Sequence, residues 1–182
     1  MCRSLLLTTA FISSMSSFAQ SGTFTLHAPE LGGQATLQEV FNGMGCTGKN
    51  LSPALSWNDT PEGTKSFAIT LYDPEAPTGS GWWHWVVFDI PATTKELPMG
   101  AGTPKQGSLP VGAVQSMTDF GAPGYGGPCP PIGHGLHTYT LTVHALDVEK
   151  LGLDQTATAP MVGFNLSMHT LGKATLVFYY ER

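Results

Sequence analysis

At 182 residues, with 41% apolar and 12% charged side chains, the chain is long enough to bury one core and too short for two comfortable ones. Little charge beside 22 Gly and 14 Pro excludes a helical bundle and a disordered chain, and favours many short strands joined by turns. A formal net charge of −5 argues against nucleic acid and anionic membrane surfaces as partners.

Residues 1–19 read as a signal peptide. Arg3 gives a positive start, Leu5 to Ile12 an apolar stretch, and Ser17-Phe18-Ala19 a small-x-small cleavage site. The stretch is too short for a transmembrane anchor, which needs about 20 apolar residues. The mature domain is then 20–182. Losing Arg3 leaves seven basic against thirteen acidic side chains, a charge of −6. The product is expected in the periplasm, or secreted if the source has no outer membrane. Cleavage also removes Cys2, leaving Cys46 and Cys129 as an even pair in an oxidising compartment. A disulfide is expected; two free thiols are the alternative.

Thr23 to Leu26 and Gln38 to Phe41 are candidate short strands, and Asn42 to Pro53 reads as loop. Phe67 to Tyr72 alternates, with Phe67, Ile69 and Leu71 on one face and Ala68, Thr70 and Tyr72 on the other. Asp73 follows, and Pro74 and Pro77 force a turn. Trp82 to Ile90 is aromatic and β-branched nearly throughout, as in a strand buried on both faces. A period of two groups His84 with Trp82, Val86 and Phe88. Pro91 to Pro131 reads as a long Gly/Pro loop of the functional kind, with Phe120 and Tyr125 in it.

His137 to Leu146 is the next strand, with His137, Tyr139, Leu141 and Val143 on one face and Thr138, Thr140, Thr142 and His144 on the other. Two polar groups entering an otherwise apolar face mark a site at a strand end. Pro160 to Leu171 is predicted helical, with Met161, Phe164, Met168 and Leu171 as its stripe and Gly172 as its stop. Thr175 to Tyr180 closes the chain as a strand.

The runs DPEAPTGSGWWHWVVFDIPA (Asp73 to Ala92), DFGAPGYGGPCPPIG (Asp119 to Gly133) and HTYTLTVHALD (His137 to Asp147) closely resemble the phosphatidylethanolamine-binding protein family, in its bacterial YbhB/YbcL branch described as Raf-kinase-inhibitor-like. With GTKSFAITLYD and the closing ATLVFYYER, the resemblance spans essentially the whole mature chain. It implies a mainly β fold, an antiparallel β-sandwich with a few peripheral helices including one near the C-terminus. It also implies a small pocket at one end for phosphate-like or carboxylate groups, lined here by Asp73, His84, the segment Gly127 to Pro131 with Pro130, His137 and Tyr139. The family's His-Arg-Tyr reads His137-Thr138-Tyr139 here; Thr138 faces away, so the pocket wall should be intact.

The residues suit an anion in a half-dry pocket, which needs donors aimed inward. His84 and His137 offer ring N–H groups, Tyr139 an O–H, and Gly126-Gly127 backbone N–H groups with no Cβ in the way. Asp73 is expected to accept from a histidine N–H, fixing its tautomer and favouring its charged form. Anion binding would then tighten as pH falls. A small anionic ligand, such as phosphate, a phosphorylated metabolite or a lipid head group, is the expected partner. No cofactor is implied, and a homodimer is only a family-level expectation.

Two rival readings stay open. Asp73, His84 and His137 could form a hydrolase acid/base set, but no G-x-S-x-G elbow or other nucleophile accompanies them. The pocket and its Gly/Pro loop could instead recognise a protein. His134 and His137 are half a metal site without a third ligand. His27, His144 and His169 are read as structural.

Overall fold

The computed structural model describes residues 22–104 and 107–182, so the leader proposed for residues 1–19, and Cys2 with it, lies outside the described residues. In chain order the elements are β1 (Thr25–His27), β2 (Asn42–Gly43), β3 (Cys46–Thr47), β4 (Leu55–Asn58), β5 (Ser66–Asp73), β6 (Trp82–Pro91), β7 (Glu96–Leu97), β8 (Val114–Gln115), β9 (His137–Leu146), α1 (Ala159–His169) and β10 (Thr170–Tyr180). An antiparallel sheet ordered β10-β9-β5-β6-β8 carries the long strands, and a small sheet ordered β1-β4-β7 faces it. The fold is mainly β, with open sheets, the third being the two-stranded β2-β3, and a helix near the C-terminus.

Alternation decides the layers. Phe67, Ile69 and Leu71 of β5, Trp85 and Val87 of β6, and Tyr139, Leu141 and Val143 of β9 pack with Trp57 of β4 in the core between the sheets. The opposite face of the large sheet puts Ala68, Val86, Phe88 and Leu146 against Ala159, Val162 and Leu166 of α1. Both faces of β5 and β6 are therefore buried, as β-branched and aromatic runs require.

A bulge corrects the grouping of His84. Leu71 pairs with Trp85 and Tyr72 with Trp83, so His84 is the extra residue on β6. The slip keeps His84 and Trp82 on the inner side, where both line one cavity, while Val86 and Phe88 face the helix.

Other expectations need revision. Gln38 to Phe41 is a turn, not a strand: the Thr36 N–H and hydroxyl both donate to Glu39 Oε2 at 2.8 Å, closing a local capping motif. Asn42 to Pro53 contains the β2–β3 hairpin, and the Pro91 to Pro131 region contains β7 and β8. In α1 the stripe is reversed. Met161, Phe164 and Met168 are exposed, as is Leu171 just beyond, while the smaller Ala159, Val162 and Leu166 are buried. Gly172 does not end the helix either, because the chain passes from His169 directly into β10, where Gly172 pairs with Ala145.

Candidate functional site

Antiparallel pairing brings the site together. Where β5 ends, its neighbours β6 and β9 begin, with Asp73 opposite Trp82 and Tyr72 opposite Thr140. Asp73, His84, His137 and Tyr139 thus converge at one sheet end around a cavity of about 220 Å³. The Pro130-Pro131 segment and Phe120 form one wall, and the Ala76 to Thr78 turn forms another.

Asp73 is saturated. Its Oδ1 accepts the Glu75 and Ala76 N–H groups at 2.9 and 3.1 Å, and its Oδ2 accepts Nδ1–H of His137 at 2.7 Å. The carboxylate therefore fixes the turn and one imidazole at once. His137 is fully buried, and its outer nitrogen Nε2 meets Nδ1 of exposed His134 at 2.7 Å. A line of three side chains thus runs from a buried carboxylate to solvent.

His84 is held differently. Its Nδ1 lies 2.7 Å from the carbonyl oxygen of Gly126, whose own N–H donates back to the His84 carbonyl at 2.9 Å. A carbonyl only accepts, so the proton is on Nδ1. Burial pushes this imidazole down to about 4, against smaller upward pulls from the Gly126 carbonyl and the Asp73 carboxylate. His84 is neutral at ordinary pH, and its single N–H is spent on the Gly126 carbonyl rather than turned to the cavity.

Tyr139 supplies the unspent valence. The residue is wholly buried and lines the cavity, and its hydroxyl has no hydrogen-bond partner among the described residues. Burial first, then the nearby Asp73 carboxylate as both charge and acceptor, drives its pKa above the ordinary phenol value, so it remains an O–H donor.

Gly127 does not line the cavity. Its N–H donates to Asn50 Oδ1 at 2.7 Å, and a Cβ there would collide with the Glu39 carbonyl. The N–H groups of Gly126 and Gly127 are both spent within the protein, so neither is an inward donor. Pro130 and Pro131 do line it, beside Cys129, which is disulfide-bonded to Cys46. Met44, Trp82 and Phe120 complete an apolar wall. Sequence patterns do not reveal Met44 or the His134 contact, since neither carries a local signal; each is carried in by a loop. Of the histidines read as structural, His144 lies between Thr70 and Thr170, and His169 pairs with Asp147 at 2.9 Å. Among the described residues no group of three His, Cys, Asp or Glu is arranged for a metal, and no helix is long and apolar enough to cross a membrane.

Known proteins resemble this chain in sequence and fold. Residues 29–181 match the family described as phosphatidylethanolamine-binding protein. The UPF0098 protein YbcL of Escherichia coli is 48% identical over 165 residues, covering 90% of each chain. UPF0098 protein YbhB of the same organism is 52% identical over 144 residues, 79% of this chain and 90% of that one. The crystal structure of E. coli YbcL, described as a new member of the mammalian PEBP family, superposes with a TM-score of 0.85 at 47% identity, over 88% of this chain and 99% of that one. With a family match over most of its length and relatives near half identity, the chain belongs to the phosphatidylethanolamine-binding protein family.

Proposed function

We propose that the chain binds a small anionic ligand, phosphate- or carboxylate-bearing, in the strand-end cavity and does not turn it over. The observation that carries this is the convergence of Asp73, His84, His137 and Tyr139 on one strand-end cavity of about 220 Å³. Asp73, His84, Pro130, Pro131, His137 and Tyr139 are the proposed ligand-binding residues.

The absence of turnover follows from the missing nucleophile. Of the lining residues that could attack, Cys129 is in a disulfide, the Thr78 hydroxyl donates to the Gly81 carbonyl, the Tyr139 phenol is held protonated, and the Asp73 carboxylate accepts from Glu75, Ala76 and His137. The outer nitrogen of His137 faces another imidazole rather than a hydroxyl. Export with cleavage near residue 19 belongs to the same proposal, supported by the Cys46–Cys129 disulfide, which suits an oxidising compartment.

Titration calorimetry with inorganic phosphate, run on wild type and Tyr139→Phe, tests the binding role. Saturable heat in the wild type, about tenfold weaker in the variant, is expected. No heat with phosphate or with acetate would remove the proposal, and release of product from a phosphoester or ester substrate would replace it with a hydrolase.

A further inference from the structure

Resting on the anion-binding reading, we propose that the site selects an oxyanion that still carries a proton, a monoprotonated phosphomonoester, because His84 turns a lone pair rather than an N–H to the cavity. The reason lies in how the ring is clamped. His84 and Gly126 exchange two hydrogen bonds, ring Nδ1–H to the Gly126 carbonyl at 2.7 Å and Gly126 N–H to the His84 carbonyl at 2.9 Å. Only glycine fits at 126, since a Cβ would collide with the Phe120 ring. Phe120 and Tyr139 both stand edge-on to the imidazole, with centroids 5.4 and 5.2 Å away, and hold it in plane.

A neutral imidazole with its proton on Nδ1 has an acceptor, and only an acceptor, at Nε2. That nitrogen takes no hydrogen bond among the described residues, on a side chain 4% exposed that lines the cavity. The Tyr139 ring stands 5.2 Å from this imidazole, and its hydroxyl is a donor. The pair therefore asks for a ligand that donates at one oxygen and accepts at another. A P–OH group together with a P–O⁻ group meets both demands. A sulfate ester, a phosphodiester or an ionised carboxylate brings acceptors alone, and sets one of them against the His84 lone pair.

The surrounding charge points the same way. The groups facing His84 are Asp73 of β5, Asp119 of the loop that also carries Phe120, and the phenol of Tyr139 on β9. The lining residues include no Lys or Arg. A dianion would meet the Asp73 carboxylate, itself paired with the His137 imidazole, with no Lys or Arg in the lining to offset it, whereas a monoanion with a proton to give meets a matched acceptor. Within the broader class of phosphate- and carboxylate-bearing ligands, this singles out the phosphomonoester monoanion.

Methyl phosphate and methyl sulfate make the test. At pH 5 both are monoanions of nearly the same shape, because a phosphomonoester keeps its second proton until about pH 6, and they differ in the one proton at issue. Calorimetric titration of the wild-type chain is expected to show methyl phosphate bound at least about tenfold more tightly, the cost of one unmade buried hydrogen bond. At pH 8, with the proton gone, that advantage should vanish. In His84→Gln the amide can turn either its oxygen or its NH2 inward, so the ratio at pH 5 should fall toward one. Equal affinities in the wild type would overturn the inference and leave anion binding standing. Failure of both esters and of inorganic phosphate to bind would sink both. Should the variant not fold, the wild-type comparison decides alone.

Discussion

The large sheet holds two buried histidines, His84 at the cavity end of β6 and His144 near the far end of β9, and burial lowers both to about 4. Yet their surroundings differ. His144 has a hydroxyl near each ring nitrogen, Thr70 at 3.4 Å and Thr170 at 3.3 Å. His84 spends one nitrogen on a carbonyl and turns the other toward a hollow. The tyrosines repeat the contrast: the Tyr125 hydroxyl donates to the Glu39 carbonyl at 3.1 Å, and that of Tyr139 to nothing among the described residues. A displaced pKa therefore reports burial in both regions alike. What distinguishes the binding end is a hydrogen-bonding valence left open beside empty volume.

The strongest way to separate the regions is through the cystine, which borders the cavity and leaves the His144 region untouched. Its sequence separation of 83 residues gives a chain-entropy stabilisation of about 4 kcal/mol. Cys46→Ser combined with Cys129→Ser should lower the urea midpoint accordingly and slacken the cavity wall, seen as faster amide exchange around Met44 and Cys129 but not around His144. Equal midpoints with and without the cystine would show that the two ends are not stabilised differently.

Acid comes next in size and should treat the regions equally. Both histidines titrate near 6.5 when unfolded and near 4 when folded, so between those values the unfolded chain binds more protons. Their stabilisation is fully present above pH 6.5 and is lost as pH falls toward 4, on the order of 3 kcal/mol for each. His144→Gln should remove about half of that slope in denaturation curves taken from pH 7 to pH 4 and leave phosphate affinity unchanged. If it altered affinity as His84→Gln does, the distinction between the two residues would be lost.

Much of this contrast is legible in the sequence, for a physical reason. Period-two alternation in Phe67 to Tyr72 and His137 to Leu146 fixes which side chains share a face and so groups His137 with Tyr139, whereas bringing Asp73 to them is legible only through the family resemblance, because strand order leaves no mark on alternation. The same period joins His84 to the cavity residue Trp82 but also to Val86 and Phe88, because a bulge adds a residue without changing composition. The α1 stripe inverts because the helix is apolar on two sides, and spacing alone does not say which side meets the sheet. Backbone freedom makes Gly127 a plausible pocket residue, whereas that freedom serves close packing on the Glu39 to Phe41 backbone. His134 gives no periodic signal, since a loop position is set by tertiary closure alone.

The smallest effects come from a single oxygen atom, and they cut most cleanly. Tyr125→Phe removes a made, buried hydrogen bond and leaves the Glu39 carbonyl short of a donor, so about 1–2 kcal/mol of stability should be lost. Tyr139→Phe removes a hydroxyl that bonds to nothing among the described residues, so no partner is orphaned and a desolvation cost disappears. Its stability should stay within about 0.5 kcal/mol of wild type, or rise. Two identical chemical changes, both fully inside the protein, should thus differ in sign or nearly so. If urea denaturation shows Tyr139→Phe to be as damaging as Tyr125→Phe, the Tyr139 hydroxyl already has a partner. It is then not an open valence, and Asp73 is the acceptor that holds it.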